Sequence, residues 1–212
     1  MSRSKLRRFA ELQTFINTFE PAKPGFIDWH KYFNNHNKII LELACGHGAY
    51  AINLAKMFPA QNFIGVDIKG ARVWRGAKTA LEEKLNNVAF LRTHIEWLDK
   101  YFIPNSVAEI WLTFPDPFSK KSQENNRLTS PKFLKLYNTI LKSNGVINLK
   151  TDDFALFEYS VETAINKNFK IKEIINNIYA HQKIPAKLAI QTVYEKKHLK
   201  NNKQIHYLKI MK

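Results

Sequence analysis

The 212-residue chain carries 33 lysine and arginine residues against 18 acidic residues, a formal net charge of +15, and 45% of its residues are hydrophobic. This composition is that of a globular chain long enough to bury a sizeable core, and it excludes the disordered and fibrous classes. The positive charge favours a polyanionic partner such as nucleic acid or an anionic membrane surface, although the excess of lysine over arginine also fits genome composition alone.

The cysteine content and the targeting patterns bear on the compartment. Cys45 is the only cysteine, so the chain can form no internal disulfide. No apolar run is long enough to span a bilayer, and the basic start of the sequence lacks the apolar stretch of a signal peptide. We therefore expect a cytoplasmic protein that does not enter a membrane.

Residues 1–37 are predicted to form a basic arm, and residues 38–212 are predicted to form one domain. Four aromatic residues of the arm are expected to pack on that domain: Phe26, Trp29, Tyr32 and Phe33. In the domain, apolar runs alternate with segments of helical periodicity. The predicted strands are residues 38–43, 62–67, 88–93, 108–113, 146–151, 169–178 and 205–211. The predicted helices are residues 49–58, 70–85, 131–142 and 154–167, and a long loop spans 179–204.

This alternation predicts an α/β fold with a doubly wound, mostly parallel, seven-stranded sheet. The last two strands have no helix between them, so one of them is expected to be an antiparallel edge strand. Ligands of such sheets bind at the carboxyl ends of the strands. Residues directly after the predicted strands are therefore the candidates for a site.

The first two strands frame a glycine turn. The first strand ends at Glu42, the turn contains Gly46 and Gly48, and the second strand ends at Asp67, about one βαβ unit further on. Glycines let the backbone turn sharply and approach a ligand, and a carboxylate such as Asp67 can accept hydrogen bonds from both ribose hydroxyls. The pattern predicts a pocket for a nucleotide-type cofactor.

The turn also indicates which cofactor binds. A dinucleotide site requires Gly-x-Gly-x-x-Gly or Ala, and the matching positions here are Ala44, Gly46 and Ala49. Glu42 would repel a pyrophosphate but suits a ligand with an ammonium or sulfonium charge. S-adenosylmethionine carries both charges and no phosphate, so it is the predicted cofactor. The alternative is a purely structural turn in which Glu42 binds backbone amides.

Two histidines lie near this pocket. Cys45 and His47 share the turn, but no other cysteine exists and no third ligand stands at metal spacing, so we expect no metal. His94 follows the third strand, near the place expected for the adenine. Backbone atoms often make the contact there, so its side chain need not take part.

The segment Phe114-Pro-Asp-Pro-Phe118 follows the fourth strand. Each proline fixes φ and lacks an N–H, so Asp116 is held in a stiff loop between two aromatic side chains. Such a carboxylate can accept the N–H donors of a purine while the rings stack on the base. The alternative is a proline-rich surface loop in which aspartate is a turn former.

Further charged residues follow the fourth and fifth predicted strands. Lys120, Lys121 and Arg127 could bind phosphate next to a purine, or could be solvated charges of a loop. Asp152 ends the fifth strand, where it is either a site residue or the N-cap of the next helix.

Together these segments resemble the bacterial tRNA (guanine-N7-)-methyltransferase family over residues 38–211. The resemblance lies in the segments Glu42-Leu-Ala-Cys-Gly-His-Gly48, Gly65-Val-Asp67, Phe114-Pro-Asp-Pro117, Lys120-Lys121, Arg127-Leu128, Lys150-Thr-Asp152, Leu156-Phe-Glu-Tyr159 and Thr192-Val-Tyr-Glu195. Many methyltransferases share the glycine turn. The Pro-Asp-Pro loop, the Lys-Thr-Asp strand end and the Thr-x-Tyr-Glu segment are far more specific.

The resemblance implies a class I methyltransferase fold and transfer of a methyl group from S-adenosyl-L-methionine to N7 of the variable-loop guanine of tRNA, nucleotide 46. It implies that Asp116 is the catalytic residue. The cofactor-binding residues are then Glu42, Asp67, His94 and Asp116, beside Gly46 and Gly48 of the turn. The residues implied to contact the target guanosine are Lys120, Asp152, Thr192, Val193, Tyr194 and Glu195.

The sequence departs from the family pattern at four places. The first turn glycine is Ala44, the usual acid is His94, and the usual tryptophan is Phe118. The basic run after the double lysine is replaced by the polar segment 122–126. The arm and the C-terminal lysines are the candidates to replace its RNA contact, and the arm contributes Arg3, Lys5, Arg7 and Arg8.

Two other functions remain open. A non-catalytic tRNA-binding protein with a methyltransferase fold fits the depleted basic loop, but it does not account for Glu42, Asp67 and Asp116 together. An enzyme that methylates amino groups of nucleic acid bases would carry a second proline where Phe118 stands. The residues do not distinguish a monomer from a homodimer.

Overall fold

A computed structural model describes residues 3–212 of the chain and the side chains from Leu6 onward. Met1 and Ser2 of the predicted arm lie outside the described residues, as do the side chains of Arg3 and Lys5. The chain divides after Ile103 into two compact units, and four strands belong to each.

The first unit is built on three apolar runs that become parallel strands. These are β2 (Lys38–Leu43), β3 (Gln61–Asp67) and β4 (Val88–Arg92), and nearly every residue in them is buried, as in sheets covered on both faces. A short strand, β1 (Thr18–Phe19), pairs in parallel with β4, so the order is β1-β4-β3-β2. The carboxyl ends of β2 and β3 therefore meet at one edge.

Helices connect these strands and extend into the arm. The helix α3 (Ala49–Met57) follows β2, and α4 (Gly70–Glu82) follows β3, close to the predicted bounds. A 3₁₀ turn over Ile95–Lys100 follows β4. The arm contributes α1 (Arg3–Leu12) and the short α2 (Trp29–Phe33).

Aromatic packing fixes the arm to the first unit. The buried Trp29 ring stacks on Phe102 at 5.4 Å between centroids, and Phe19 packs edge-on against Trp29 at 4.8 Å. Burying side chains of this size stabilises the fold by about 2 kcal/mol each. The packing was predicted for Phe26 as well, but that ring is exposed, because the segment before α2 has no strand or helix to carry it inward. The domain boundary at residue 37 stays a prediction.

The second unit contains a mixed set of strands. They are β5 (Val107–Thr113), β6 (Leu141–Thr151), β7 (Lys170–Ile175) and β8 (His206–Met211), in the order β5-β6-β8-β7. The pair β5 and β6 is parallel, whereas β8 runs antiparallel to both β6 and β7. The helices α5 (Pro131–Ile140) and α6 (Phe154–Asn166) follow β5 and β6. The α/β class, the mostly parallel pairing and the antiparallel edge are thus confirmed.

Three details differ from the prediction. The described residues hold eight strands, because β1 forms within the arm. The strand β6 begins at Leu141 because that residue pairs with Val107 across an irregularity in the register. The predicted loop over 179–204 contains the helix α7 (Val193–Lys200), whose charged sequence has no apolar periodicity but begins with an N-cap, Thr192.

Membrane insertion finds no support in the helices. Within residues 3–212 none of them has both the length and the apolar character that a membrane-spanning helix requires.

Candidate active site

Glu42 in the first unit is a buried carboxylate next to the start of a helix. It lies near the end of β2 and is 3% exposed. The backbone N–H of Ala51, in the first turn of α3, donates to its Oε2 at 2.8 Å. A carboxylate in this position is stabilised by the positive end of the helix dipole. The predicted alternative of an amide-bonded Glu42 is therefore realised at one oxygen, and Glu42 has further interactions besides.

Asp67 ties the two strand ends together. The N–H of Gly46 donates to Oδ2 at 2.9 Å, and the N–H of Lys69 donates to Oδ1 at 2.8 Å. The residue is 6% exposed. Each carboxylate oxygen has two lone pairs, so both oxygens can still accept a hydrogen bond from a ligand hydroxyl. Asp67 thus shapes the turn and keeps the acceptor capacity that ribose recognition requires.

The glycine turn is open on one side and closed on the other. A Cβ atom at Gly46 would meet no atom within 4 Å, whereas one at Gly48 would lie 2.3 Å from the Phe90 ring. Three residues of the turn have positive φ: Ala44 (54°), Gly46 (57°) and Gly48 (66°). The turn therefore rests on Phe90 and leaves room above Gly46 for a ligand to approach the backbone.

The electrostatic character of this pocket is negative. Burial raises the pKa of the Cys45 thiol well above its ordinary value, and the charges of Glu42 and Asp67 raise it further. Cys45 is thus a neutral thiol and an unsuitable nucleophile. The two carboxylates suit a cationic ligand with hydroxyl groups and no phosphate. The donor set and the open face at Gly46 fit S-adenosylmethionine.

The two histidines near the pocket are exposed. The His94 ring lies 4.9 Å from the ring of Trp97, which is 47% exposed. The backbone carbonyl of His94 accepts the N–H of Trp97. His47 lies on the surface of the turn, whereas Cys45 is buried, so the two side chains of the Cys-x-His pair face different environments. No group of metal-binding side chains occurs in the described part of the chain.

In the second unit, Asp116 is exposed on a strained loop after β5. Phe114 and Phe118 have φ values of 51° and 44°, a region that non-glycine residues rarely adopt. The N–H of Phe114 donates to the carbonyl of Lys150 in β6 at 2.8 Å. Positive φ at two bulky residues costs of order 1–3 kcal/mol each and persists only where neighbouring contacts hold it. The loop is therefore a fixed support for the Asp116 carboxylate.

Arg127 supplies much of that support. Its Nε donates to the carbonyl of Pro117 at 3.1 Å, and its Nη2 donates to the carbonyl of Phe118 at 3.2 Å. The guanidinium also lies over the Tyr159 ring, 4.3 Å from the centroid. These contacts give Arg127 a structural role in the loop.

Asp152 is not the cap of the helix that follows it. The cap of α6 is Asp153, whose Oδ1 accepts the N–H of Leu156 at 2.7 Å. Asp152 instead pairs with His198 at 3.1 Å and with Lys203 at 2.5 Å, both through Oδ2. The His198 ring stacks on Phe114 at 5.7 Å. Asp152, the Pro-Asp-Pro loop and α7 thus form one connected group.

The segment Thr192–Glu195 divides into buried and exposed side chains. Thr192 caps α7 by accepting the N–H of Glu195 at 3.1 Å. Glu195 is 0% exposed and pairs with the equally buried Lys150 at 2.7 Å, while the Tyr179 hydroxyl donates to its Oε1. Val193 and Tyr194 are 72% and 50% exposed. Of the four, only Val193 and Tyr194 present side chains to solvent.

The remaining predicted residue, Lys120, is exposed at the start of a 3₁₀ turn over Lys121–Asn126. The structure thus groups Glu42, Gly46, Gly48 and Asp67 in the first unit. It groups Asp116 and Asp152 with the start of α7 in the second. The assignment of these residues, and of His94, to cofactor and guanosine stays a prediction.

Sequence reasoning missed the residues that position the others. Phe90 and Gly76 support the glycine turn, and a Cβ at Gly76 would lie 2.6 Å from the carbonyl of His47. His198 and Lys150 support the other group. The Lys-Thr-Asp strand end was an available signal for Lys150, whereas no local pattern marks Phe90 or His198.

Comparison with known proteins identifies close relatives along the whole chain. A family profile described as "Putative methyltransferase" matches residues 36–208. A tRNA (guanine-N(7)-)-methyltransferase of Christiangramia forsetii is 43% identical, with 98% of this chain and 97% of the relative covered. One of Cytophaga hutchinsonii is 39% identical, with 99% and 97% covered.

Solved structures share the fold at low identity. The crystal structure of the 16S rRNA methyltransferase KamB superposes with a TM-score of 0.67 at 12% identity, covering 88% of this chain and 94% of that chain. A 16S rRNA (adenine(1408)-N(1))-methyltransferase from Catenulisporales acidiphilia, solved with its cosubstrate SAM, gives 0.59 at 12% identity, with 87% and 89% covered. At these identities the likeness concerns the fold alone.

Proposed function

Because the chain belongs to the tRNA (guanine-N(7)-)-methyltransferase family, we propose that it methylates N7 of the guanine in the variable loop of tRNA, nucleotide 46. The family activity is methyl transfer from S-adenosylmethionine to N7 of a guanine in tRNA. The observation that carries the proposal is the match to a family member along 98% of this chain and 97% of the relative. The position within tRNA is the part that the proposal adds.

The residues of the glycine turn would hold the cofactor. Asp67 has acceptor capacity left on both oxygens for ribose hydroxyls, and a Cβ at Gly46 would meet no atom within 4 Å, which leaves space beside the backbone. Glu42 contributes negative charge beside the turn, which suits the ammonium and sulfonium groups. When bound there, S-adenosylmethionine supplies an electrophilic methyl group. His94 would border the adenine through its backbone.

The chemistry of guanine N7 indicates which kind of residue the second unit must contribute to the reaction. Guanine N7 carries an in-plane lone pair and no proton, so its methylation requires no general base. The base becomes cationic as the new bond forms, and a carboxylate at its edge stabilises that charge. Asp116 can serve because it is exposed on a loop held by Arg127. In this role Asp116 orients the guanine and favours the developing positive charge.

Neighbouring residues would bind the rest of the nucleotide. Tyr194 offers a half-exposed aromatic ring at the start of α7, and such rings stack on unpaired bases. Lys120 and Asp152 offer a cation and a hydrogen-bond acceptor near the same loop. Thr192 and Glu195, whose side chains are engaged within the protein, would act by holding this segment in place.

The test is methyl transfer from labelled S-adenosylmethionine to an unmodified tRNA transcript, with the labelled nucleoside identified. A matched transcript carries adenine in place of the variable-loop guanine. We expect 7-methylguanosine in the first transcript and none in the second. Equal labelling of both transcripts would overturn the variable-loop position. Binding of cofactor and tRNA without any labelled product would overturn catalysis and leave a tRNA-binding protein.

A further inference from the structure

The arginines of this chain are concentrated in two helices. Lysine accounts for 26 of the 33 basic residues, yet five of the seven arginines lie in α1 and α4. They are Arg3, Arg7 and Arg8 in α1, and Arg72 and Arg75 in α4. Arginine binds phosphate through two parallel hydrogen bonds, which lysine cannot make. A chain that otherwise uses lysine therefore places its arginines selectively.

The two helices are docked on each other within the first unit. Trp74 Nε1 of α4 donates to Glu11 of α1 at 3.0 Å, and Lys78 pairs with the same carboxylate at 2.9 Å. Phe9 packs against Gly70, where a Cβ would lie 2.5 Å from its ring. The Arg8 guanidinium lies over the Trp74 ring, 4.9 Å from the centroid. These contacts bring an arginine of the arm beside the arginines of α4.

The same helix packs on the glycine turn. A side chain at Gly76 would collide with the carbonyl of His47, so the two backbones are in close contact. Arg72 lies one turn earlier on the same side of α4, and Arg75 directly precedes Gly76. Partial burial of the ring lowers the pKa of His47, the charges of Arg72, Arg75 and Arg8 lower it further, and the charge of Asp67 opposes them. All three guanidinium groups therefore lie near the turn.

These three arginines are not neutralised by the protein. None of the ion pairs among the described side chains involves Arg8, Arg72 or Arg75. The other two described arginines outside α1 are engaged, Arg92 with Glu20 and Arg127 with loop carbonyls. Arg8 and Arg75 are exposed and Arg72 is half-buried. The charges are thus available to an external anion.

We propose that Arg8, Arg72 and Arg75, the arginine face, bind backbone phosphates of the RNA substrate next to the glycine turn. The assignment rests on the proposed function for the identity of the RNA, but its physical basis is charge and geometry. Three unpaired guanidinium groups on docked helices match a run of phosphates better than a single small anion. The face would supply RNA contacts that the polar segment 122–126 lacks.

The test compares an Arg72→Gln/Arg75→Gln double variant with a Lys31→Gln/Lys38→Gln double variant. The control removes the same charge from exposed positions of the same unit that lie in α2 and at the start of β2. Binding of unmodified tRNA is measured over a salt series, and S-adenosylmethionine binding is measured by calorimetry. Glutamine keeps the helix propensity of α4, so the fold is expected to be retained.

We expect the arginine variant to bind tRNA roughly tenfold more weakly at low salt. We also expect its slope of log affinity against log salt to fall by about 1.4–1.8, since each of the two lost phosphate contacts removes about 0.7–0.9. Cofactor binding and kcat at saturating tRNA should match the wild type. An Arg72→Lys/Arg75→Lys variant should recover the slope but only part of the affinity.

Equal slopes and affinities for the arginine variant and the lysine control would overturn the arginine face. Product analysis of the wild-type protein distinguishes failure of the arginine face from failure of the proposed function. If the wild type forms 7-methylguanosine and the arginine variant binds tRNA normally, only the arginine face fails. If the wild type forms no 7-methylguanosine but the arginine variant loses its salt slope, the face stands as an RNA site and the proposed function fails.

Discussion

At the scale of single residues, catalysis is expected to depend most on Asp116. Its loop contains two phenylalanines with positive φ and is held by the Arg127 guanidinium. A backbone held in this way fixes the position from which the Asp116 side chain extends. A carboxylate held in advance needs little reorganisation when positive charge develops on a bound base.

Replacing Asp116 by asparagine should therefore reduce kcat by about 10²-fold, because the amide keeps the shape but loses the charge. Cofactor affinity, measured by calorimetry, should change little. Asp99→Asn is the matched control, since that carboxylate forms a surface ion pair with the exposed Lys100. Turnover in Asp116→Asn equal to that of the control would remove Asp116 from the mechanism.

A second residue-scale prediction concerns Ala44, which has a φ of 54° in the turn. A Cβ in the left-handed region costs about 1 kcal/mol relative to glycine. Ala44→Gly should therefore raise the free energy of unfolding by roughly 0.5–1 kcal/mol, measured by denaturant titration. Gly25→Ala is a useful comparison, because its Cβ would meet no atom within 4 Å and its φ is unexceptional. A destabilised Ala44→Gly protein would show that the alanine methyl packs favourably despite the strain.

Local sequence predicted some of these residues and not others. The position of Glu42 and Asp67 at the same edge of the sheet was predictable, because the carboxyl ends of parallel strands meet at one edge whatever surrounds them. Arg127 was predicted to be near the loop, but its use for carbonyls rather than phosphate depends on where the backbone of Pro117 and Phe118 turns. Phe90 supports the turn through contacts with glycines distant in sequence. No local pattern encodes such contacts.

At the scale of elements, the start of α7 is fixed by a buried ion pair. Lys150 in β6 pairs with Glu195 at 2.7 Å and donates to the carbonyls of Leu188 and Ile190 at 2.7 and 2.9 Å. Burial lowers the pKa of Lys150, against the opposing effect of Glu195. A buried charge without its partner is costly in folding free energy. The ion pair therefore holds the strand β6 and the start of the helix α7 together.

This ion pair predicts strong coupling between the two residues. Lys150→Met and Glu195→Gln should each lower the free energy of unfolding by about 3–5 kcal/mol, because each leaves a buried charge uncompensated. The double variant should lose much less than the sum of the two, by at least about 1 kcal/mol. Denaturant unfolding of all four proteins gives the cycle. Additive losses would mean that the two charges are stabilised independently, by their other partners.

Elements were predictable where apolar periodicity encodes them. The bounds of β2 agree with the prediction at both ends, because its apolar run begins after polar residues and ends at the glycine turn. The helix α7 was missed because its residues show no apolar periodicity, and its stability depends on a cap and on the Lys150 pair. The Thr-x-x-Glu pattern at residues 192–195 is a local signal for the start of a helix. The prediction relied on apolar periodicity instead and therefore assigned a loop. The two-residue β1 exists only because β4 is available to pair with it.

At the scale of the whole molecule, the alternation of strands and helices was sufficient to predict the fold class, since few arrangements bury such apolar runs. The net charge of +15 acts at the same scale. Its field extends about a Debye length into solution and attracts any nucleic acid, regardless of sequence. We expect the field to increase the rate of encounter with tRNA, and we expect the choice of one guanine to depend on the residues around Asp116.

If the net charge acts on the encounter with tRNA and not on the bound complex, two kinetic constants should depend differently on salt. The ratio kcat/KM for tRNA should fall linearly with the concentration of added salt on logarithmic axes, because counterions compete with the protein for phosphates. The constant kcat at saturating tRNA should change little, since the bound complex is already formed. The measurement is initial rate against tRNA concentration at several potassium chloride concentrations, with saturating S-adenosylmethionine. Varying the cofactor at saturating tRNA provides the control, because a small ligand releases few counterions. If kcat fell as steeply as kcat/KM, salt would act on the bound complex, and the charge would be required for the reaction itself as well as for the encounter.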